Sequence, residues 1–106
     1  MPVLDCGGTP LEVNDEGFLV RPGEWNEGVA LFLAREREGL ADLGPHHWAV
    51  IRCIRGFYEE HGRAPLTRRI CRTTGLTLKR IYALFPSGPA EGACKVAGLP
   101  SPDGCI

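Results

Sequence analysis

No apolar run in this chain of 106 residues approaches the ~18 that a transmembrane helix requires. The first twenty residues also lack a basic stretch followed by an apolar one, the mark of a secretory signal. The expectation is a protein without a membrane span, located in the cytoplasm, where thiols are kept reduced. The five cysteines (Cys6, Cys53, Cys71, Cys94, Cys105) show no CxxC or CxH spacing. Structural zinc sites are built on such close pairs, so no metal is expected, and the compartment together with a core large enough to do without one argues against a stapling disulfide framework. No phosphate-cradling or flavin motif is present either, so the chain is read as needing no cofactor. Acidic residues are missing from one long stretch. Residues 61–90 hold six bases (Arg63, Arg68, Arg69, Arg72, Lys79, Arg80) and no acid, whereas residues 1–60 hold eleven acids against five bases. The net charge of −1 therefore conceals a basic face.

What is there suffices for one domain with a modest core. The start, VLDCGGTPLEVNDEGFLV, alternates apolar positions (Leu11, Val13, Phe18, Val20) between turns at Gly7-Gly8 and Asp15-Glu16-Gly17. That predicts a small β-hairpin within residues 1–22, which must pack on helices to be stable. EWNEGVALFLAREREG carries Trp25, Val29, Phe32 and Leu33 at helical spacing and stops at Gly39. PHHWAVIRCIRGFYEEHG, between Pro45 and Gly62, is the strongest helical pattern, with Trp48, Ile51, Ile54, Phe57 and Tyr58 along one broad face. APLTRRICRTTGLTLKRIYALFP predicts two short helices around Gly75, the first opened by Pro65 and the second stopped by Pro86. A last short helix over GPAEGACKVAG ends at Gly98. The fold expected is mainly α with a small N-terminal β-hairpin (α+β): a helical core over 24–97 and a mobile C-terminal arm over 98–106.

The arm, CKVAGLPSPDGCI, sets Cys94 and Cys105 eleven positions apart with one residue, Ile106, beyond the second. Cys53 and Cys71 lie inside helical patterns and are expected to pack in the core. A thiol one residue from the terminus is expected to be accessible. Pro100 and Pro102 favour extended backbone, Gly98 and Gly104 permit bends, and Val96, Leu99 and Ile106 offer docking points. Eleven steps of up to ~3.4 Å carry Cys105 well over 30 Å from Cys94 when extended. Folded back, the same arm reaches the Cα separation of ~4.4–6.8 Å that a disulfide needs. This is the plan of a sulfur relay, with Cys105 as nucleophile and Cys94 as resolving thiol.

The tail, preceded by LFPSGPAEGA, resembles the C-terminal signature of the DsrC/TusE sulfur-carrier family. HHWAVIRCIRGFYEEHGRAP resembles its central helix, and NDEGFLVRPGEWNEGVA its N-terminal hairpin and first helix. The resemblance implies that Cys105 carries sulfur as a persulfide. It also implies that Cys94 is the second cysteine of the DsrC branch, which works with dissimilatory sulfite reductase, and that the two thiols join in a disulfide or a trisulfide. The TusE branch, which relays sulfur for tRNA 2-thiouridine synthesis, typically lacks that second cysteine and is the alternative. Implied partners are sulfite reductase or sulfurtransferases of the DsrEFH/TusBCD type, with the chain a monomer when free and without turnover of its own. Lys95 and the block Arg68, Arg69, Arg72, Lys79, Arg80 fall where the family places cations, which would favour a thiolate or meet a partner. Between Leu66 and Tyr82 the chain is shorter than the family pattern, which implies a divergent DsrC-like carrier.

A second reading follows from LTRRICRTTGLTLKRIYALF, which is patterned as a helix-turn-helix with Gly75 at the turn. In a DNA-binding regulator, Thr77, Lys79 and Arg80 would face the major groove. Such a unit is also ordinary architecture and belongs to the family itself. His46 and His47, in the first turn of the central helix, are read as solvated or capping.

Overall fold

The computed structural model describes residues 3–6 and 8–100. Strands β1 (Val3–Cys6) and β2 (Thr9–Glu12) pair antiparallel, with Leu4 opposite Leu11. Gly8 turns the chain at φ +94°, and its N–H donates to the Asp5 carboxylate at 2.8 Å. A second turn follows at once. The Asn14 side-chain oxygen accepts from the N–H groups of Glu16 and Phe18, and Val13 bridges to Leu19 across it. The alternation read from the sequence slips at this turn, so Leu19 is buried and Val20 only partly so.

Helix α1 (Glu27–Glu38) begins where Asn26 caps it, its side chain accepting from the Val29 N–H at 2.9 Å. The helix predicted to begin upstream of Trp25 is therefore shorter. Pro22–Glu24 form a single 3₁₀ turn and Trp25 stands in extended backbone between the two elements. Helix α2 (Pro45–His61) is bounded as predicted, by proline in its first turn and Gly62 in the left-handed conformation after its last. Val50, Ile51 and Ile54 are fully buried on it. Helix α3 (Thr67–Thr74) starts beyond Pro65 and ends at left-handed Gly75. Helix α4 (Leu78–Leu84) is capped by the Thr77 hydroxyl, which accepts from the Arg80 N–H at 3.1 Å, and it ends ahead of Pro86. A π-helical turn (Pro89–Ala93) then runs into the three-residue α5 (Cys94–Val96).

The main core surrounds α2 and takes in Ala30 and Ala34 of α1, Ile70 of α3, Ile81 of α4, and Cys94, Val96 and Leu99. A second cluster joins Leu11, Val13 and Leu19 of the strands to Val29 and Leu33 of α1. Trp25 packs against both. Helix α1 thus has two apolar faces, which is why a marginal ribbon can persist: its inner side is covered by a helix already held by the core. Among the described residues no helix is long and apolar enough to cross a membrane.

Candidate functional site

The base of the C-terminal arm is buried and held by side chains from distant parts of the chain. Cys94 opens α5 with none of its surface exposed, and α5 packs on α1 and α2. The helix closes through a paired cap. The Gly98 N–H donates to the Lys95 carbonyl at 3.0 Å and the Leu99 N–H to the Cys94 carbonyl at 3.2 Å, with Gly98 at φ +75°. Glycine is required there twice over. The left-handed backbone disfavours a side chain, and a Cβ on Gly98 would run into the Trp25 indole. Gly98 and Leu99, read from the sequence as the start of the arm, are buried with the helix because Leu99 closes the cap and fills the core.

Two side chains from distant parts of the chain hold this cap. Trp25 donates from Nε1 to the Val96 carbonyl at 2.9 Å. Arg55, on α2, donates from Nη1 to the carbonyls of Ala97 and Gly98 at 3.3 and 3.4 Å, and from Nη2 to the Pro22 carbonyl at 2.7 Å. Its Nε pairs with Glu59 at 3.2 Å, and its guanidinium lies 4.8 Å from the Trp25 ring centroid. With the Arg55 side chain only 12% exposed, a planar cation with several donors satisfies carbonyls that the helix end leaves open. Positive charge at a helix C-terminus is also favourable in its own right.

The segment leading to Cys94 is tied down in the same manner. Glu38, the last residue of α1, accepts from the Ser87 N–H at 3.1 Å and the Ser87 hydroxyl at 2.8 Å. A Cβ on Gly92 would collide with the same carboxylate. His47 fixes the end of α4: its Nδ1 accepts from the Gly44 N–H and its Nε2–H donates to the Leu84 carbonyl, both at 3.1 Å. The capping role expected of the histidine pair is therefore filled by His47. His46 is exposed, its Nδ1 3.4 Å from Arg80 Nη2.

The structure separates the candidate residues. Lys95 is 9% exposed and sets its ammonium 5.0 Å from the Phe18 ring centroid. Arg68, Arg69, Arg72, Lys79 and Arg80 are all exposed on α3 and α4. Among the described residues, the arginine that grips the arm base is Arg55, outside that block. The charge of Arg69 falls on Cys53 instead, where burial raises the thiol pKa while a Thr73 hydrogen bond and Arg69 oppose the rise. Cys53 and Cys71 sit half-buried at the edge of the main core, and Cys6 lies half-buried against the hairpin cluster. Pro100 is the last described residue. Cys105, with Pro102 and Gly104, lies outside the described residues. Nothing in sequence pointed to Trp25 or Arg55 as partners of the arm base, since their contacts span 71 and 43 positions.

A small α+β domain that clamps the root of a cysteine-bearing C-terminal segment is the class of protein these features define. The family model described as "DsrC like protein" matches residues 5–106, and the chain belongs to that family. It is 42% identical to "Sulfite reductase, dissimilatory-type subunit gamma" of Nitratidesulfovibrio vulgaris over 99 residues, 93% of each chain. It is 38% identical to "Sulfurtransferase TusE" of Escherichia coli K12 over 106 residues, 93% of this chain and 95% of that one. Among solved structures, the oxidized gamma-subunit of the dissimilatory sulfite reductase (DsrC) from Archaeoglobus fulgidus superposes with a TM-score of 0.86. The two are 38% identical over 99% of this chain and 100% of that one. A crystal structure of dissimilatory sulfite reductase I (DsrI) gives 0.89 at 39% identity, with 99% and 100% covered. The shortness expected relative to the family does not hold against the sulfite reductase relatives, since 99% of this chain covers 100% of both solved chains. The same share of this chain aligns over 99 positions with the N. vulgaris relative but 106 with TusE, so the TusE chain carries extra residues that this chain and the sulfite reductase relative both lack.

Proposed function

We propose that this protein is a two-thiol sulfur carrier that acts as a co-substrate of partner enzymes, Cys105 accepting sulfur and Cys94 resolving it. The observation that carries the reading is the immobilised arm base. Cys94 sits in the last turn before a cap held by Arg55 and Trp25, so the residues that follow start from a fixed point. Support also comes from the names of the relatives, a sulfite reductase gamma subunit and sulfurtransferases.

The chemistry balances in two steps. The Cys105 thiolate attacks the outer sulfur of a donor persulfide, forming Cys105–S–SH and releasing the donor's thiolate. The Cys94 thiolate then attacks Cys105 Sγ, forming the Cys94–Cys105 disulfide and expelling hydrosulfide, and an external dithiol returns both cysteines to thiols. With a sulfite reductase as partner, sulfite, both thiols, two electrons from the reductase and four protons give a trisulfide and three waters. The full stretch after Pro100 spans about 17 Å to Cys105 when extended, enough to enter a partner's cleft. Lys95, Gly98, Pro100, Pro102 and Gly104 set the environment and reach of this arm. A relay of the TusE type for tRNA thiolation uses the same first step. The presence of Cys94 and the ungapped alignment favour the sulfite reductase branch.

The test is intact mass and peptide mapping after incubation of the reduced protein with a persulfide donor. One added sulfur on Cys105, absent in Cys105→Ser, followed on oxidation by a Cys94–Cys105 link, is the expected result. Adducts spread over all five cysteines, or none on the tail, would refute the carrier reading.

A further inference from the structure

We infer that the outer face of α3 and α4 is a docking surface for an acidic protein with an apolar centre. It rests on residues other than those of the sulfur relay. Among the described residues three ion pairs form, Arg21–Glu12, Arg52–Glu27 and Arg55–Glu59, and none uses a cation from residues 61–90. All six cations of that stretch are exposed. Arg63 and Arg69 hold their guanidiniums 5.5 and 5.3 Å from the Phe57 ring centroid, near the C-terminal end of α2. Arg80 stands beside His46 at the other end of the same helix. The band therefore runs about 16 Å along α2, the rise of eleven helical residues. Unpaired cations at this density attract an anionic partner locally whatever the net charge of the chain.

The apolar residues decide which kind of anion. Among the described residues, the large exposed hydrophobic side chains are Val3, Leu66, Leu78 and Tyr82, and three of the four fall between positions 66 and 82, among the cations. Leu78 is 45% and Tyr82 51% exposed, and they share one face of α4 at i, i+4 spacing. Neither serves the core of this protein, and duplex DNA has little use for them. Base edges are read by Arg, Lys, Asn and Gln, and of these the seven-residue α4 offers Lys79 and Arg80 with no Asn or Gln. Its capping Thr77 hydroxyl already accepts a backbone hydrogen bond, and Arg80 faces His46. An apolar centre containing tyrosine within a rim of arginines is instead the make-up of a protein–protein interface. The surface also adjoins the arm's supporting segment, because the Tyr82 ring packs on Gly88, where a Cβ would meet its Cε1 at 2.7 Å. A protein docked on α4 lies next to the turn that leads to Cys94.

The test is fluorescence anisotropy of the full chain with three labelled probes: an amphipathic helix of about 20 residues with a Leu stripe flanked by Glu, an all-Glu peptide of equal length, and duplex DNA of mixed sequence. The amphipathic peptide is expected to bind at low salt and weaken as salt rises. Lys79→Glu and the pair Leu78→Ser with Tyr82→Ser each weaken it about tenfold, while amide shifts on binding cluster within residues 63–82. These residues are exposed, so retained circular dichroism and Tm verify that the variants are folded. Cys94→Ser and Cys105→Ser bind as the parent does, which separates this surface from the sulfur chemistry. Equal binding of the all-Glu peptide, displacement of the amphipathic peptide by DNA, loss of binding in the cysteine variants, or no binding at low salt each overturns the proposal.

Discussion

The base of the arm and the α3–α4 face are opposite solutions to placing polar groups on a small domain. Around Gly98 the backbone is buried, and its carbonyls are met by Trp25 and Arg55. Just before α3 and along α3 and α4, six cations project into water outside every ion pair described, with ring faces, a histidine and the Cys53 thiol as their neighbours. Buried polar groups must be paired because desolvation without a partner costs more than the bond returns, whereas solvated charges can stay unpaired at almost no cost. The lesson is about division of labour. In the proposed carrier, the part that would present a thiol is buried and hydrogen-bonded throughout its cap, and the part proposed to meet a partner is left open to it.

That contrast can be broken first at Gly98. Gly98→Val forces a branched residue into left-handed backbone and against the Trp25 indole. Urea denaturation is expected to show a loss of about 2–4 kcal/mol, the sum of backbone strain and overpacking. A loss under 1 kcal/mol would mean the cap is not held as described. Arg55→Met comes next. It keeps the aliphatic packing but removes the donors to the carbonyls of Pro22, Ala97 and Gly98, and about 2–3 kcal/mol should be lost. Glu59 contributes little to that figure, since its side chain is 63% exposed. Arg55→Lys should recover only part, because one ammonium cannot span three carbonyls and stack on an indole. Amide exchange at Gly98 and Leu99 should accelerate in both variants while that of Ile70 follows global stability alone.

A smaller effect sits at Cys53 of α2, beside Thr73 and Arg69 of α3. Its thiol pKa is raised from the model-compound value of 9.0 chiefly by burial. A thiol whose pKa is higher folded than unfolded stabilises the fold fully below the unfolded value and ceases to do so as pH rises through the folded one. Stability should therefore decline above about pH 9, by less than one proton's slope, and the decline should shrink in Cys53→Ala. Arg69→Gln, which removes a charge that opposes the shift, should steepen it. The smallest effect is expected at Arg72→Ser, exposed on α3 and outside every ion pair described. It should change the unfolding free energy by no more than about 0.5 kcal/mol. A larger loss would show that the basic face is structural after all.

Much of the frame was legible in sequence because it depends on neighbours a few positions away. Pro45 and Gly62 bracket α2, Gly75 ends α3, and Gly98 ends the last helix, each through capping chemistry that acts within one turn. Where packing competes with periodicity the reading slipped. Trp25 has helical spacing to Val29 but is cut off by the Asn26 cap, and its ring turns to the arm base instead. Phe57 continues the apolar stripe of α2 yet lies outside the core cluster, beneath Arg63 and Arg69.

Read alone, the sequence yielded the helical frame with its N-terminal ribbon, the segregation of bases into residues 61–90, and the tail with Cys94 and Cys105 that led to the family, which the matching model bears out. It took the tertiary structure to bring Arg55, from the middle of α2, to the arm base as its cation, to set Arg69 beside Cys53, and to bury Gly98 and Leu99 with the last helix. The reason is distance along the chain. Caps and charge runs are local and can be read in order, but a guanidinium finds carbonyls 42 and 43 positions away only after burial of the core has brought α2 and α5 together.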